Sequence, residues 1–252
     1  MTMASLPRQI VRCASAAALS LAELVWPTRC AACDAPGQLL CDRCRNALPY
    51  IDPLLACPRC GAPYGAVQCS ECNRATLQHR GYERYPLDGQ VSAVSFDDAS
   101  ARIVRTWKDA GERALSAVIG TFVARSVPPS WIQRSPVVVA VPASPNAYRR
   151  RGFDHGFELA SDVAERLGLS CAALLDRPRA KDQRNLTGAQ RASNMQGRFK
   201  IAPGIAFLHR PPRAVLLVDD VCTTGSTLFS AAEALRLWGA EELYAATFAR
   251  VW

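Results

Sequence analysis

The stretch 215–228, VLLVDDVCTTGSTL, constrains the fold of this chain of 252 residues more than any other. It begins with four apolar residues without polar alternation, which is typical of a strand covered on both faces, as in a parallel sheet. Asp219 and Asp220 follow at the carboxyl end of that strand, the edge at which open α/β sheets bind ligands. The stretch therefore predicts an α/β fold with a polar site at this edge.

The loop that follows the two aspartates is rich in hydroxyl groups and carries no positive charge. Its hydroxyl side chains are Thr223, Thr224, Ser226 and Thr227. Gly225 lets the backbone approach a ligand closely, and a helix beginning near Thr227 would present N–H groups at its positive end. Such a loop suits a phosphate, whereas a carboxylate pair repels phosphate and suits ribose hydroxyls or Mg²⁺. We therefore predict a ribose-phosphate site; a buried strand followed by an ordinary capped helix is the structural alternative.

Two common nucleotide-binding motifs are missing from the sequence. The chain contains no GxxxxGK[ST] and no Gly-Lys pair, which argues against a P-loop ATPase. It also has no GxGxxG after a predicted strand, which argues against a dinucleotide-binding fold.

The cysteines predict a metal-binding module ahead of the main domain. Eight of the eleven form CxxC pairs, namely Cys30/Cys33, Cys41/Cys44, Cys57/Cys60 and Cys69/Cys72. Two such pairs complete a tetrahedral Cys₄ site, so four pairs predict one or two structural zinc ions. Pairing the first with the second and the third with the fourth is simplest, and a crossed arrangement stays open. A disulfide framework is the alternative, but a reducing cytoplasm fits a nucleotide-using enzyme better.

The apolar and polar patterns divide the chain into three regions. Residues 1–25 have helical apolar spacing, which favours an amphipathic helix over a secretion signal. Residues 26–75 form the zinc-ribbon-like module. Residues 85–252 alternate strands with helices, and the predicted strands include 91–96, 137–141, 215–218 and 243–248, the last closing the sheet. This alternation predicts a doubly wound, mostly parallel α/β sheet.

Charge and hydropathy limit the partners. The formal net charge of +8 favours acidic partners such as phosphates or nucleic acid, although a solvated basic surface explains it equally well. Only Lys108, Lys181 and Lys200 among the 30 basic residues are lysines. No stretch is long and apolar enough to span a membrane. These features predict a cytoplasmic protein.

The stretch 215–228 resembles the 5-phosphoribosyl 1-pyrophosphate (PRPP) signature of type I phosphoribosyltransferases. With the CxxC pairs and the segments 107–111, 149–153 and 183–199, nearly the whole chain resembles the ComF family of competence-associated proteins. The resemblance implies a Mg²⁺-dependent transfer from PRPP to an unknown nitrogen acceptor, with release of pyrophosphate. It also implies DNA uptake as the setting, with competence or DNA-processing proteins as candidate partners. The alternative is a non-catalytic module that senses PRPP or binds single-stranded DNA.

The resemblance also implies roles for individual residues. Asp219 and Asp220 would be catalytic and hold the ribose, and the 5′-phosphate would bind at Thr223, Thr224, Gly225, Ser226 and Thr227. The pyrophosphate would bind at Arg149, Arg150 and Arg151. A closing lid would carry Lys181, Gln183, Arg184, Arg191 and Asn194.

Four further residues are interpreted as structural. The chain has Asp154 and His155 where the family usually has Asn-Gln. Asp154 is predicted to cap a helix, and His155 is read as structural rather than as a general base. Trp107 is read as a core residue and Cys222 as a small filler rather than a nucleophile.

Overall fold

The computed structural model describes residues 27–177, 199–208 and 210–252. The chain divides into two compact units, Met1–Ala47 and Leu48–Trp252. The predicted N-terminal helix and the predicted lid lie outside the described residues. Within the described part of the chain, no helix has the length and apolar character needed to cross a bilayer.

A parallel five-stranded sheet forms the centre of the larger unit. Its strands are β1 (Gly89–Ser95), β2 (Val137–Ala140), β3 (Cys171–Ala172), β6 (Ala214–Cys222) and β7 (Glu242–Arg250). The order across the sheet is β1-β7-β6-β2-β3, and every neighbouring pair is parallel. Two short strands, β4 (Leu175–Asp176) and β5 (Lys200–Ile201), form a separate antiparallel pair. The predicted doubly wound, mostly parallel sheet is confirmed.

Nine helices are described. The first two are α1 (Asp42–Asn46) and α2 (Arg74–His79), and three follow β1: α3 (Asp98–Lys108), α4 (Leu115–Ser126) and α5 (Pro129–Ile132). After β2 come α6 (Pro145–Arg151) and α7 (His155–Leu167). The last two are α8 (Pro203–Leu208) and α9 (Ser226–Trp238).

The helices cover both faces of the sheet. Helices α4 and α7 pack against each other and against β7, β6 and β2, while α9 packs on β6 and β7 with the core cluster that contains Leu217, Leu228 and Leu235. The all-apolar residues of β6 therefore lie between two layers, as the absence of alternation predicts. Trp107 is fully buried, so its interpretation as a core residue is confirmed.

Two predicted strands differ from the observed ones in a way that matters for the site. Strand β6 continues beyond Val218 to Cys222, because Asp219 and Val221 keep their pairing with Thr247 and Ala249 of β7. Strand β7 does not close the sheet. It lies between β6 and β1, and the edge strands are β1 and β3. Apolar runs indicate strands but do not indicate which strands become neighbours.

The four CxxC pairs form two separate groups. Cys30, Cys33, Cys41 and Cys44 make the first group, and Cys57, Cys60, Cys69 and Cys72 make the second. Pairing is therefore sequential, as expected. The first group lies in the smaller unit and the second in the larger one. The second group sits directly on the sheet, since a Cβ atom on Gly61 would stand 2.5 Å from the carbonyl oxygen of Gln90 in β1.

Candidate functional site

The two aspartates lie near the carboxyl end of β6, which Val221 and Cys222 complete. Asp220 is buried, and one of its carboxylate oxygens accepts the backbone N–H of Val221. Asp219 is partly exposed and accepts the N–H of Asp220 at 2.9 Å. Burial among the surrounding elements raises the pKa of Asp219 to about 6, an effect that Lys108 and Arg177 oppose. Two carboxylates are thus held at the ligand-binding edge of the sheet.

Lys108, the last residue of α3, reaches across to these aspartates. Its ammonium group forms an ion pair with Asp220, and only 18% of the lysine side chain is exposed. Burial lowers the pKa of Lys108 to about 8, with Asp219 favouring the charged form and Arg151 disfavouring it. The site therefore contains a lysine that is mostly protonated at neutral pH and loses its proton at mildly alkaline pH.

Arg151 and His155 complete the cluster around Asp220. The side chain of Arg151 is 11% exposed, and its guanidinium group lies 3.3 Å from Nδ1 of His155 and 3.4 Å from Asp109. Nε2 of His155 is 3.7 Å from Asp220, yet burial, Lys108 and Arg151 lower the pKa of His155 to about 3. His155 is consequently neutral, and its ring lies edge-on to Trp107 at 5.4 Å. A base this weak supports the structural interpretation of His155.

The three consecutive arginines point to different places. Arg150 and Arg151 both contact Asp109, and with Lys108 they line a cavity of about 400 Å³. Arg149 donates to Asn146 at 2.6 Å and lines a different cavity, of about 370 Å³, with Arg177. Of the three, only Arg151 and Arg150 lie on the side of Lys108. Their assignment to pyrophosphate stays a prediction.

Local sequence explains how α6 and α7 hold these side chains. Ser144 accepts the N–H of Ala147 at 3.2 Å, and Gly152 ends α6 with a φ of +76°, a value that favours glycine. Asp154 then caps α7 by accepting the N–H of Phe157 at 3.1 Å. The predicted capping role of Asp154 is confirmed.

The hydroxyl-rich loop connects β6 to α9. Thr223 and Thr224 are exposed, and the hydroxyl of Thr224 donates to that of Ser226 at 3.0 Å. Gly225, with a φ of +78°, stands at the N-terminus of α9, where no side chain caps the helix. A Cβ at this position would lie 3.0 Å from the ring of Phe229. Uncapped N–H groups beside hydroxyls make this loop suitable for an anion.

Four residues at or near this site were not assigned to it from the sequence. Lys108, Asp109 and Arg177 are among them, and the fourth is Arg80, whose Nη1 donates to the carbonyl of Thr224 at 3.3 Å. The loop lacks a positive charge of its own, but the segment after the second Cys group brings one to it. Lys108 had a detectable signal, since it is one of three lysines in a chain with 30 basic residues.

The geometry of both Cys groups fits zinc. Within each group the Sγ atoms lie within 4.8 Å of one another, and individual separations are 3.8 Å for Cys33 and Cys41, and 3.6 Å for Cys57 and Cys72. Four thiolates about 2.3 Å from a tetrahedral zinc ion stand roughly 3.8 Å apart, whereas disulfide sulfurs are about 2.0 Å apart. When bound, zinc would stabilise the turns of each Cys group. The four thiolates fill its tetrahedral coordination and leave no open position for catalysis.

Cys222 ends β6 and directly precedes the hydroxyl-rich loop. It is buried, burial raises the pKa of its thiol, and the side-chain amide of Gln90 donates to its sulfur at 3.0 Å. A thiol held in this form is a poor nucleophile. The interpretation of Cys222 as a packing residue agrees with this environment.

Family comparisons identify both parts of the chain. Residues 21–77 match the double zinc ribbon domain, and residues 154–251 match the phosphoribosyl transferase domain. The chain is 27% identical to DNA utilization protein YhgH of Salmonella typhimurium, over 86% of this chain and 94% of the relative. It is 26% identical to competence protein F of Haemophilus influenzae, over 81% and 87%. It is 22% identical to competence protein ComFC of Streptococcus pneumoniae, over 81% and 84%.

The chain is therefore similar to proteins named for competence over 81% of its length. Its two Cys groups are thus the structural zinc sites of a double zinc ribbon, and residues Asp219 to Thr227 fall inside the phosphoribosyl transferase match. In this protein Mg²⁺ would find carboxylate ligands at Asp219 and Asp220, which is the donor type it prefers. Lys108 already neutralises Asp220, so a metal ion at that oxygen would replace the ammonium group. When bound, Mg²⁺ would neutralise phosphate charge.

Proposed function

We propose that this protein binds PRPP and Mg²⁺ at the carboxyl end of β6 and transfers the ribose phosphate to a nitrogen acceptor in the cytoplasm. The proposal rests on one observation. Asp219 and Asp220 stand at the end of a buried parallel strand, directly before a hydroxyl-rich loop that opens a helix, with Lys108 paired to Asp220 and Arg151 close to Lys108. These groups match, in order, a ribose, a 5′-phosphate and a pyrophosphate.

The reaction breaks the bond between C1 of the ribose and a pyrophosphate oxygen and forms a bond from C1 to the acceptor nitrogen, which loses a proton. Positive charge develops on the ribose ring and negative charge on the leaving group, by analogy with glycosidic transition states. Asp219 and Asp220 would hold the ribose hydroxyls and favour the ring charge. Lys108 would move from Asp220, and Arg151 from Asp109, towards the pyrophosphate and stabilise it there.

Binding of PRPP tests the site directly. Calorimetry with Mg²⁺ should show PRPP binding to the wild-type protein and none to the double variant D219N/D220N. D98N is a matched control, since it makes the same chemical change at an exposed acid on α3. Inorganic pyrophosphate lacks the ribose and should bind the double variant at least as well as the wild type, because two repelling carboxylates are gone. Equal PRPP affinity in the wild type and the double variant would contradict the site assignment.

Pyrophosphate release separates an enzyme from a binding module. Release from PRPP with one member of a panel of bases and amines supports transfer and identifies the acceptor. A module that senses PRPP or binds single-stranded DNA is the second candidate, favoured by relatives named for DNA utilization and competence and by the net charge of +8. That candidate predicts PRPP binding without release, together with DNA binding that weakens steeply as salt rises. In both cases we place the protein in DNA uptake, with competence or DNA-processing proteins as partners.

A further inference from the structure

The hydroxyl-rich loop is connected to the second Cys group through a pair of charged side chains. Nη1 of Arg80 donates to the carbonyl of Thr224 at 3.3 Å, and Nη2 of the same guanidinium group donates to Glu71 at 3.1 Å. Glu71 lies between Cys69 and Cys72, inside one CxxC turn of the Cys group. Both charged side chains are about 28% exposed, so the pair is partly shielded from water.

The same CxxC turn also positions the helix that carries Arg80. The carbonyl oxygen of Ser70 accepts hydrogen bonds from the side chains of Asn73, at 3.0 Å, and Thr76, at 2.7 Å. Asn73 is the N-cap of α2, and Arg80 is its C-cap. The position of Arg80 is therefore determined by the turn that the Cys group holds.

A second connection reaches the residue before the loop. Nη1 of Arg250 donates to the carbonyl of Cys60 at 2.7 Å and lies 3.8 Å from the sulfur of Cys222. Arg250 is buried at the end of β7, and Cys222 ends β6. The two CxxC turns of the second Cys group therefore each contact an arginine. Arg80 in turn contacts Thr224 in the loop, and Arg250 contacts Cys222 just before it.

The contact at Thr224 bears on anion binding through the geometry of the peptide group. The peptide that joins Thr224 to Gly225 is planar and trans, so its N–H points opposite to its C=O. A guanidinium group on the carbonyl fixes the orientation of that N–H and polarises it. Arg80 can therefore strengthen anion binding at the loop without touching the anion.

We propose that Glu71 and Arg80 are positioning residues that connect the second Cys group to the phosphate loop. An intact second Cys group then sets the affinity of the loop for a phosphate monoester, and the first group does not. This inference rests on the proposed function, because it assumes that the loop binds the 5′-phosphate of a ribose. It concerns residues outside the site itself.

The test measures binding of ribose 5-phosphate, which occupies the loop without pyrophosphate. R80A should weaken binding roughly tenfold, the effect of losing one hydrogen bond to a charged group. E71Q should also weaken binding, because a neutral amide oxygen holds the guanidinium group less strongly than a carboxylate does. The double variant E71Q/R80A should be no weaker than R80A, because the two residues act in series. R74Q is a matched control, as Arg74 is exposed on the same helix. Zinc content and thermal unfolding of each variant report whether the fold is intact.

E71Q separates positioning from simple electrostatics. The substitution removes a negative charge near the loop, so long-range attraction alone would strengthen phosphate binding. Positioning predicts the opposite, a weaker complex. Unchanged or tighter binding by E71Q, in a wild-type background that binds ribose 5-phosphate, overturns the positioning role and leaves the proposed function standing. Absence of binding by the wild-type protein overturns the phosphate-loop assignment and the positioning role together.

Discussion

The surroundings of Lys108 act on its protonated form in two opposite ways. Burial lowers its pKa to about 8, while Asp220 and Asp219 lie close enough to stabilise the ammonium form. Arg151 opposes that form from the other side. An arginine here would stay charged at any physiological pH, whereas a lysine can lose its proton. The residue thus combines a cation for the site with sensitivity to modest alkalinity.

We expect PRPP affinity to decrease as the pH rises through about 8. Lys108 is protonated below that pH and neutral above it, so attraction for the anionic ligand is present below and lost above. Between pH 7 and 9.5 the wild-type dissociation constant should rise about tenfold or more, the weight of one charge-assisted contact. K108R should bind tightly across the range, and K108M should bind weakly across it. A flat wild-type profile with unimpaired K108M would remove Lys108 from the site.

At the scale of elements, the positions of strands along the chain were easier to predict than the pairing of those strands in the sheet. Uninterrupted apolar runs located β2, β6 and β7 within a few residues, because burial on both faces leaves a local pattern. The position of β7 inside the sheet depends on pairing with β1 and has no such pattern. The contact of Arg80 with Thr224 spans 144 positions, so no local motif could indicate it. The site formed by the aspartates and hydroxyls could be predicted from the sequence, because these residues follow one another within a single short stretch.

Gly61 should be one of the least replaceable residues of the second Cys group. It has a φ of +67°, and a Cβ would lie 2.5 Å from the backbone carbonyl oxygen of Gln90. G61A should lower the free energy of unfolding by about 2–4 kcal/mol, combining left-handed strain with a steric clash. Gly81, with a φ of +83° and no heavy atom within 4 Å of such a Cβ, is the control. G81A should cost about 1 kcal/mol. Equal losses in chemical denaturation would show that the contact with β1 has no energetic weight.

At the scale of the whole molecule, the two Cys groups of the double zinc ribbon are divided between the two compact units. Its first Cys group lies in Met1–Ala47 and its second in Leu48–Trp252. The second group shares a small core with Ala62 and Tyr85, and Arg250 of β7 donates to Cys60. Metal at the second group should therefore stabilise the larger unit as a whole as well as the ribbon.

Removing one metal ion at a time should reveal this difference. Protein purified without oxygen should contain two zinc ions per chain, and C33S and C69S should each contain one. C69S should lower the melting temperature of the larger unit by several degrees, because its metal holds turns that contact the sheet. C33S should leave that transition unchanged. Equal shifts for the two variants, or zinc-free protein with disulfides between the CxxC cysteines, would contradict this division.

The position of β7 between β1 and β6 has a consequence for synthesis on the ribosome. Strand β1 is made early, but its partner β7 ends at residue 250, so the edges of β1 and β6 that face β7 have no partner until residue 250 has been translated. Arg250, which reaches the second Cys group, arrives just as late. Unpaired apolar strands are prone to aggregate during this interval. Nascent chains of this protein should therefore depend on protection by chaperones until β7 has been synthesised.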